Sequence, residues 1–479
     1  MKKAAVWVLK LLKSVIFIGF GIQTVLGIVW MCRNFMSFQE FGESAVYAQS
    51  SRNFIFDEYT GVLYPVFLLL AEGVEAVIRL PYYCVLYAVQ LGAAFVSAWL
   101  FLREIVFRRE ESKKSRTKLW CIFGSLAVVT LPAAMQCHLA VLPNSLASSF
   151  FLLELLSGFM LMRGKKESFL TMPVFWMLCT LLMPEYLVIG IVPVMFVLLY
   201  LLAAKKGIRQ AGILLAGIAV AAGLSVGIQT LTGEQGYYGR VEKSPAFAAA
   251  RRFAWTNLMD TYGEWPEEVR SAVDYGAVKE SSFYPANMES IFGSLMEEAL
   301  GREQAQEFFW ELAGIGWEGN RREILHDIAW DGFGYVFSPI ALQMQLTGRG
   351  YDAYSGRNYE IMRNDTPVLS RIYMDYGCWW FGAALCLTVV LQLMLWCFLG
   401  KRPVKRAVWA VLLPVISCGA AAFWYTMRGA GMMDYKLTVF INCLWSLWSF
   451  AVCCNGTEEG DNGITLAAFV EEVPEGEAE

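Results

Sequence analysis

The chain has 479 residues, 57% hydrophobic and only 17% charged, where soluble domains carry about a quarter charged. That balance excludes a string of two or three water-soluble domains and points to a polytopic membrane protein. The formal net charge of −4, from 39 basic and 43 acidic residues sorted unevenly along the chain, argues against nucleic-acid binding.

In chain order, windows of about 20 apolar residues give roughly ten spans. They fall near 13–32, 82–105, 119–137, 145–162, 168–182, 186–203, 211–231, 377–399, 407–426 and 437–454. The apolar stretch from Phe169 to Ala203 is too long for one span, and Met183-Pro184-Glu185 in its middle predicts a break into a hairpin. Basic residues cluster at Lys2, Lys3, Lys10 and Lys13, from Arg103 to Lys118, from Arg163 to Lys166, from Lys205 to Arg209 and from Lys401 to Arg406. These segments fall on one side when the spans are threaded in order, so they are read as cytoplasmic, with both termini inside. The basic start lacks a small-residue cleavage site, which predicts a retained first helix.

The fold expected is all-α: an N-terminal membrane module over 1–231 with a first outer loop at 33–81, an extracytoplasmic helical domain at 232–375, and a C-terminal membrane module at 376–454. An acidic tail follows at 455–479, carrying Glu458, Glu459, Asp461, Glu471, Glu472, Glu475, Glu477 and Glu479 without a basic residue, and reads as disordered and cytoplasmic. The semi-apolar stretch Leu63 to Leu80, with Glu72, Glu75 and Arg79, reads as lying along the membrane surface. The segment 232–375 has 22 acidic and 13 basic residues and no cysteine, so without disulfides its core is expected from Trp255, Trp265, Trp310, Trp317 and Trp330. Within it, EEVRSAVDYGAV and MEEALGREQAQEFFWELAGI read as amphipathic helices. All twelve cysteines sit in or beside apolar runs and read as small core hydrophobes. With two histidines and no CxxC, zinc-site spacings are missing, so any metal site would have to be built from carboxylates.

The first outer loop packs Glu40, Glu43, Asp57 and Glu58 directly after a span. A carboxylate held there in a partly apolar cleft has a raised pKa, as a general base acting on a hydroxyl needs. A spacing of four places Glu43 and Tyr47 on one helix face. The alternative is a solvated loop whose acids do nothing.

An early acid after the first span, the pattern acid-x-x-x-Tyr at Glu43 and Tyr47, and Gly61-Val62-Leu63-Tyr64-Pro65 before the second span resemble the polytopic glycosyltransferases of the GT-C fold class, family 39, the protein O-mannosyltransferase-like enzymes. Leu142-Pro143-Asn144-Ser145 and Pro184-Glu185 are weaker echoes. The resemblance covers mainly the first 200 residues and the span order. It implies sugar transfer with inversion, from a polyprenyl-phosphate sugar to an acceptor glycan, lipid or protein on the outer face of the cell membrane. No other cofactor is called for, and metal dependence stays open. It also implies a first-loop acid as catalytic base: Glu43 first, where such enzymes usually carry Asp, with Asp57 and Glu58 as alternatives. Tyr47 and Tyr64 fall among the substrate-binding positions.

A polyprenyl-phosphate leaving group needs a cation at the outer surface. Arg428, in TMRGAGMMDYK with Gly429, Gly431 and Lys436, is the first choice, and Arg79 and Arg52 are reserves. Interfacial anchoring is the alternative for Arg428 and Lys436. Glu185, where a membrane hairpin turns, is a functional candidate or a helix-capping acid. His138 reads as structural, and His326 with Asp327 and Asp331 is a poor metal cluster. The stretch 348–365, with Tyr351 and Arg357, mixes aromatic and planar polar groups that suit a sugar, or is an ordinary connecting loop.

Two other classes compete. A polymerase or ligase of lipid-linked glycans would place catalytic weight on outer arginines or a histidine. A transporter or flippase would show charged residues buried in mid-span and broken helices in paired positions, and the spans carry almost none.

Overall fold

The computed structural model describes residues 2–38, 47, 61–106, 115–165, 167–203, 208–232, 241–254, 258–283, 292–337, 351–352, 357–358, 368–399, 405–429 and 435–454. It is helical throughout, apart from a two-residue antiparallel ladder pairing β1 (Tyr351–Asp352) with β2 (Arg357–Asn358). By contacts the chain divides into two units. One comprises Met1–Gly227, Thr366–Cys418 and Thr438–Glu479, the other Ile228–Asp365 and Gly419–Leu437.

The first unit contains α1 (Lys2–Asn34), α2 (Leu63–Ile78), α3 (Tyr82–Phe101), α4 (Ser115–Val129), α5 (Pro132–His138), α6 (Asn144–Met162), α7 (Ser168–Leu182), α8 (Tyr186–Ile189), α9 (Ile191–Ala203) and most of α10 (Ile208–Thr232). Six helices among the described residues are long and apolar enough to cross a membrane: Trp7–Asn34, Tyr82–Glu104, Asn144–Met162, Tyr186–Ala203, Arg209–Ile228 and Val368–Met394. The chain is therefore a membrane protein. The α4–α5 pair adds a seventh if its 78° bend interrupts one span. Ser168–Leu182, Val415–Trp424 and Phe440–Phe450 are shorter apolar helices, so length and composition stop short of the ten spans expected.

Helices form here because a backbone in lipid must satisfy its own polar groups. Breaks fall where that fails. Pro132 opens α5 after the bend at Thr130 and Leu131. Met183, with extended backbone, and Pro184 separate α7 from α8. The helix α17 (Val368–Leu399) lies along α1: Gly19 meets the ring of Trp380 directly, Tyr376 donates to the Gly19 carbonyl at 3.2 Å, and Trp30 donates to Ser370 at 3.0 Å. α6 is the most enclosed span, with 83% of its window buried against 28% for Arg209–Ile228. It packs between α3 and α7.

At the end where α3 and α6 finish, two of the basic segments meet. Arg103 and Lys165 pair with Glu104 at 2.7 Å and 3.5 Å, and Arg163 donates to the Glu104 carbonyl at 2.8 Å.

The second unit contains α11 (Pro245–Phe253), α12 (Leu258–Thr261), α13 (Glu267–Ala272), α14 (Tyr275–Phe283), α15 (Ser294–Leu300) and α16 (Arg302–Phe337). Ser244 caps α11 by accepting from the Phe247 amide at 3.2 Å. Each of the two amphipathic stretches expected is split. Val273 and Asp274 interrupt the first, and Asp274 then accepts from the Ala277 amide; Gly301 interrupts the second. Asn320 leaves helical geometry inside α16.

The aromatic residues at the core of this unit are mainly phenylalanine rather than tryptophan. Phe247, Phe292 and Phe309 are fully buried and pack edge to face, with Trp265 and Phe308 against them. Of the five tryptophans expected there, Trp265 is buried and Trp317 packs on Phe253, but Trp310 and Trp330 are exposed. Trp255 lies outside the described residues. Interior positions on short helices joined at angles favour the flat phenyl ring, which carries no N–H that must find a partner. α18 (Lys405–Gly429) and α19 (Tyr435–Cys454) are the last of the described helices.

Candidate functional site

Polar side chains converge within the first unit where α2 and α6 begin. Tyr64, in the first turn of α2, is fully buried and donates its hydroxyl to Gln90 Oε1 of α3 at 3.1 Å. Gln90 Nε2 points at three main-chain carbonyls of the α5–α6 turn, His138 at 2.8 Å, Ala140 at 3.0 Å and Cys137 at 3.3 Å. A turn that leaves carbonyls unpaired inside a bundle needs such a donor. Tyr47 stands edge-on to Tyr64, ring centroids 5.3 Å apart, and is itself buried. Burial first, and then the neighbouring Tyr47, push the Tyr64 phenol well above its ordinary pKa, so it stays a neutral hydroxyl donor.

From that turn the chain enters α6 through Leu142-Pro143-Asn144-Ser145. His138 Nδ1 and Ser145 Oγ share a hydrogen bond of 2.6 Å, and both residues are buried. On the other side, Gly61 lies so close to the carbonyls of Leu181 and Leu182 that a side chain there would strike main-chain oxygen. Those carbonyls end α7 immediately before Met183-Pro184-Glu185. Glu185 is buried in the turn and its side chain does not cap α8. Beside it Tyr186 is fully buried, edge-on to Phe151 at 5.2 Å, while its carbonyl accepts from Trp176 Nε1 at 3.0 Å. The capping role considered for Glu185 is thus set aside, whereas His138, read as structural, is held by its hydrogen bond to Ser145.

Tyr47, Tyr64 and the neighbourhood of Glu185 are therefore brought together through Gln90, Gly61 and the α5–α6 turn. Arg79 is not part of this cluster. It is the exposed C-cap of α2 with φ 57°, roughly 20 Å from Tyr64 at 1.5 Å per helical residue. Glu43, Asp57, Glu58 and Arg52 lie outside the described residues. Arg428 and Lys436 fall on helical backbone at the end of α18 and the start of α19, and Tyr351 and Arg357 on the small ladder, but the side chains of all four lie outside what is described. His326 and Asp327 are exposed neighbours 3.4 Å apart, whereas Asp331 is taken by Arg252 at 2.6 Å, so the three do not converge.

Two residues of this region were not singled out from the sequence. Gln90 gave no signal, being an amide in an apolar run. Glu154 did. It is the lone acid in SSFFLLELLSGFMLM, near the middle of α6, fully buried, and neither carboxyl oxygen has a hydrogen-bond partner. The reading that the spans hold almost no mid-span charge is corrected by it. Helical spacing puts Glu154 on the face of Phe151 and Gly158, turned toward α7, α8 and α9, while Ser145, Ser148 and Ser149 occupy another face.

The chain matches no protein-family model, no curated protein and no solved structure.

Proposed function

We propose that this protein is an integral-membrane glycosyltransferase that moves a sugar from a polyprenyl-phosphate donor to an acceptor on the extracytoplasmic face, with inversion. The observation that carries the reading is the meeting of segments that resemble the GT-C enzymes. Tyr47 rests on Tyr64, Gly61 abuts the carbonyls before Pro184-Glu185, and Gln90 ties Tyr64 to the turn leading into Leu142-Pro143-Asn144-Ser145. These stretches are up to about 140 positions apart in sequence, and a shared site is one reason for a fold to gather them.

In this reading the chain has ten spans, with the bent α4–α5 pair and the three short apolar helices completing them. The end rich in Arg103, Arg163 and Lys165 is cytoplasmic, both termini are inside, and residues 232–375 form an extracytoplasmic domain. Glu43 removes the proton from the acceptor hydroxyl while the oxygen attacks the anomeric carbon opposite the phosphate, and Arg428 with Lys436 receives the leaving polyprenyl phosphate. Tyr47 on its buried perch positions the loop that carries Glu43. Purified protein in lipid, given a panel of radiolabelled polyprenyl-phosphate sugars, is expected to release polyprenyl phosphate, with Glu43→Gln slowing release by about 100-fold or more. Full turnover by Glu43→Gln removes the base assignment, and no release from any donor removes the reading.

A second reading has its own observation. Glu154 is a buried mid-span acid and the α4–α5 pair is bent by 78°, and both are marks of a transporter or flippase of lipid-linked substrates. Uptake of a fluorescent polyprenyl-linked glycan into proteoliposomes, lost in Glu154→Gln but unchanged in Glu43→Gln, selects it.

A further inference from the structure

At the inside of the α4–α5 bend is a cavity of about 20 Å³. Its lining is polar at His138 and at Ser145, Ser148 and Ser149 of α6, and at Ser97 of α3, whose hydroxyl donates to the Ala94 carbonyl at 3.0 Å; Ala98 of α3 and Phe440 of α19 are among its apolar members. His138 is 1% exposed, and its Nε2 has no hydrogen-bond partner although Nδ1 is engaged with Ser145. The ring has two neutral tautomers. In one, Nδ1 accepts from the Ser145 hydroxyl and Nε2 holds an unspent N–H. In the other, Nδ1–H donates to Ser145 and Nε2 holds an unspent lone pair.

We propose that this cavity is a binding site for a single hydroxyl group, seated between His138 Nε2 and the Ser148 side chain. Size and chemistry both select that ligand. A cavity of roughly 10–15 Å³ already admits one oxygen with its hydrogens, and the space here exceeds that without admitting a ring. A hydroxyl both donates and accepts, so it satisfies Nε2 in either tautomer, whereas a cation or an anion satisfies one alone. Small Ala94 and Ala98 keep the space open on the α3 side. The hydroxyl belongs either to water or to a small acyclic polyol, and the site stands on this geometry whether or not the protein transfers sugars.

The chain has only two histidines, which makes the test spectroscopic. Protein carrying His326→Gln and ¹⁵N-labelled histidine, in lipid nanodiscs, leaves His138 as the one ring observed. Cross-peaks from that ring to the water resonance are expected, or, with glycerol added as probe, to glycerol C–H protons with loss of the water peak. The first outcome identifies water as the ligand, and the second a polyol hydroxyl. Ser148→Val, which fills the space with a methyl group, is expected to abolish either peak while the Nδ1 coupling to Ser145 remains. A ring that contacts only protein aliphatic protons, with neither water nor glycerol, overturns the proposal. So does a peak that survives Ser148→Val unchanged.

Discussion

The two units are both built of helices, yet they are held together in opposite ways. In the second unit, apolar side chains are inside: Phe247, Phe292, Phe308 and Phe309 form the centre, and the Arg252–Asp331 pair closes one edge. In the first, large apolar side chains are turned out along α1, where Trp7, Ile18 and Val25 are more than half exposed. Its inside is held by close approaches such as Gly19 on Trp380, and by buried polar ties such as Gln23 to the Ala127 carbonyl and Thr388 to Ser449. Water drives apolar groups together; a lipid tail is as apolar as leucine and does not. Association in the first unit therefore depends on shape and hydrogen bonds, and in the second on the burial of rings.

That contrast is breakable, beginning with the largest effect. Phe309→Ala removes a ring at the centre of the second unit and is expected to cost about 3–5 kcal/mol. Hydrogen exchange should accelerate in α11 and α16 and stay unchanged in α3 and α6; equal acceleration in all four would show that the units do not differ in what stabilises them. Gln90→Leu makes the first unit more apolar at nearly constant size. It is expected to destabilise by about 2–3 kcal/mol, because the Tyr64 hydroxyl and carbonyls of the α5–α6 turn lose their partner. The loosening should be seen as faster exchange over 61–65 and 138–145. A stabilised Gln90→Leu protein would mean that burial alone governs this unit too. Smallest is Trp330→Ser, on an exposed position of α16, expected within about 0.5 kcal/mol of wild type by thermal unfolding, whereas Trp265→Ser loses several.

The contrast also explains what could be read in advance. Apolar runs locate helices whether or not the neighbours are known, and the break at Met183-Pro184-Glu185 follows from proline chemistry. The tryptophans of 232–375 mislead because size alone does not decide burial: Trp310 and Trp330 fall on the outer side of α16, while the smaller phenylalanines fill the inside. In the candidate site, Tyr47 and Tyr64 were legible as a pair of motifs. Their partner Gln90 was not, because nothing local distinguishes an amide that serves three distant carbonyls from one that faces a neighbouring helix. Glu154 is legible in the sequence, a lone carboxyl in a run that otherwise has no charge.

By itself the sequence determined where the chain is helical, which stretches suit lipid and where prolines interrupt them, since each depends on neighbours within a turn or two. Only the tertiary structure decided which face of α6 meets the cavity and which carries Glu154, that Gln90 joins Tyr64 to the turn at His138, and that Arg79 stands apart from both. Those outcomes depend on the rotation of each helix about its axis, and that rotation is set by contacts between residues tens to hundreds of positions apart.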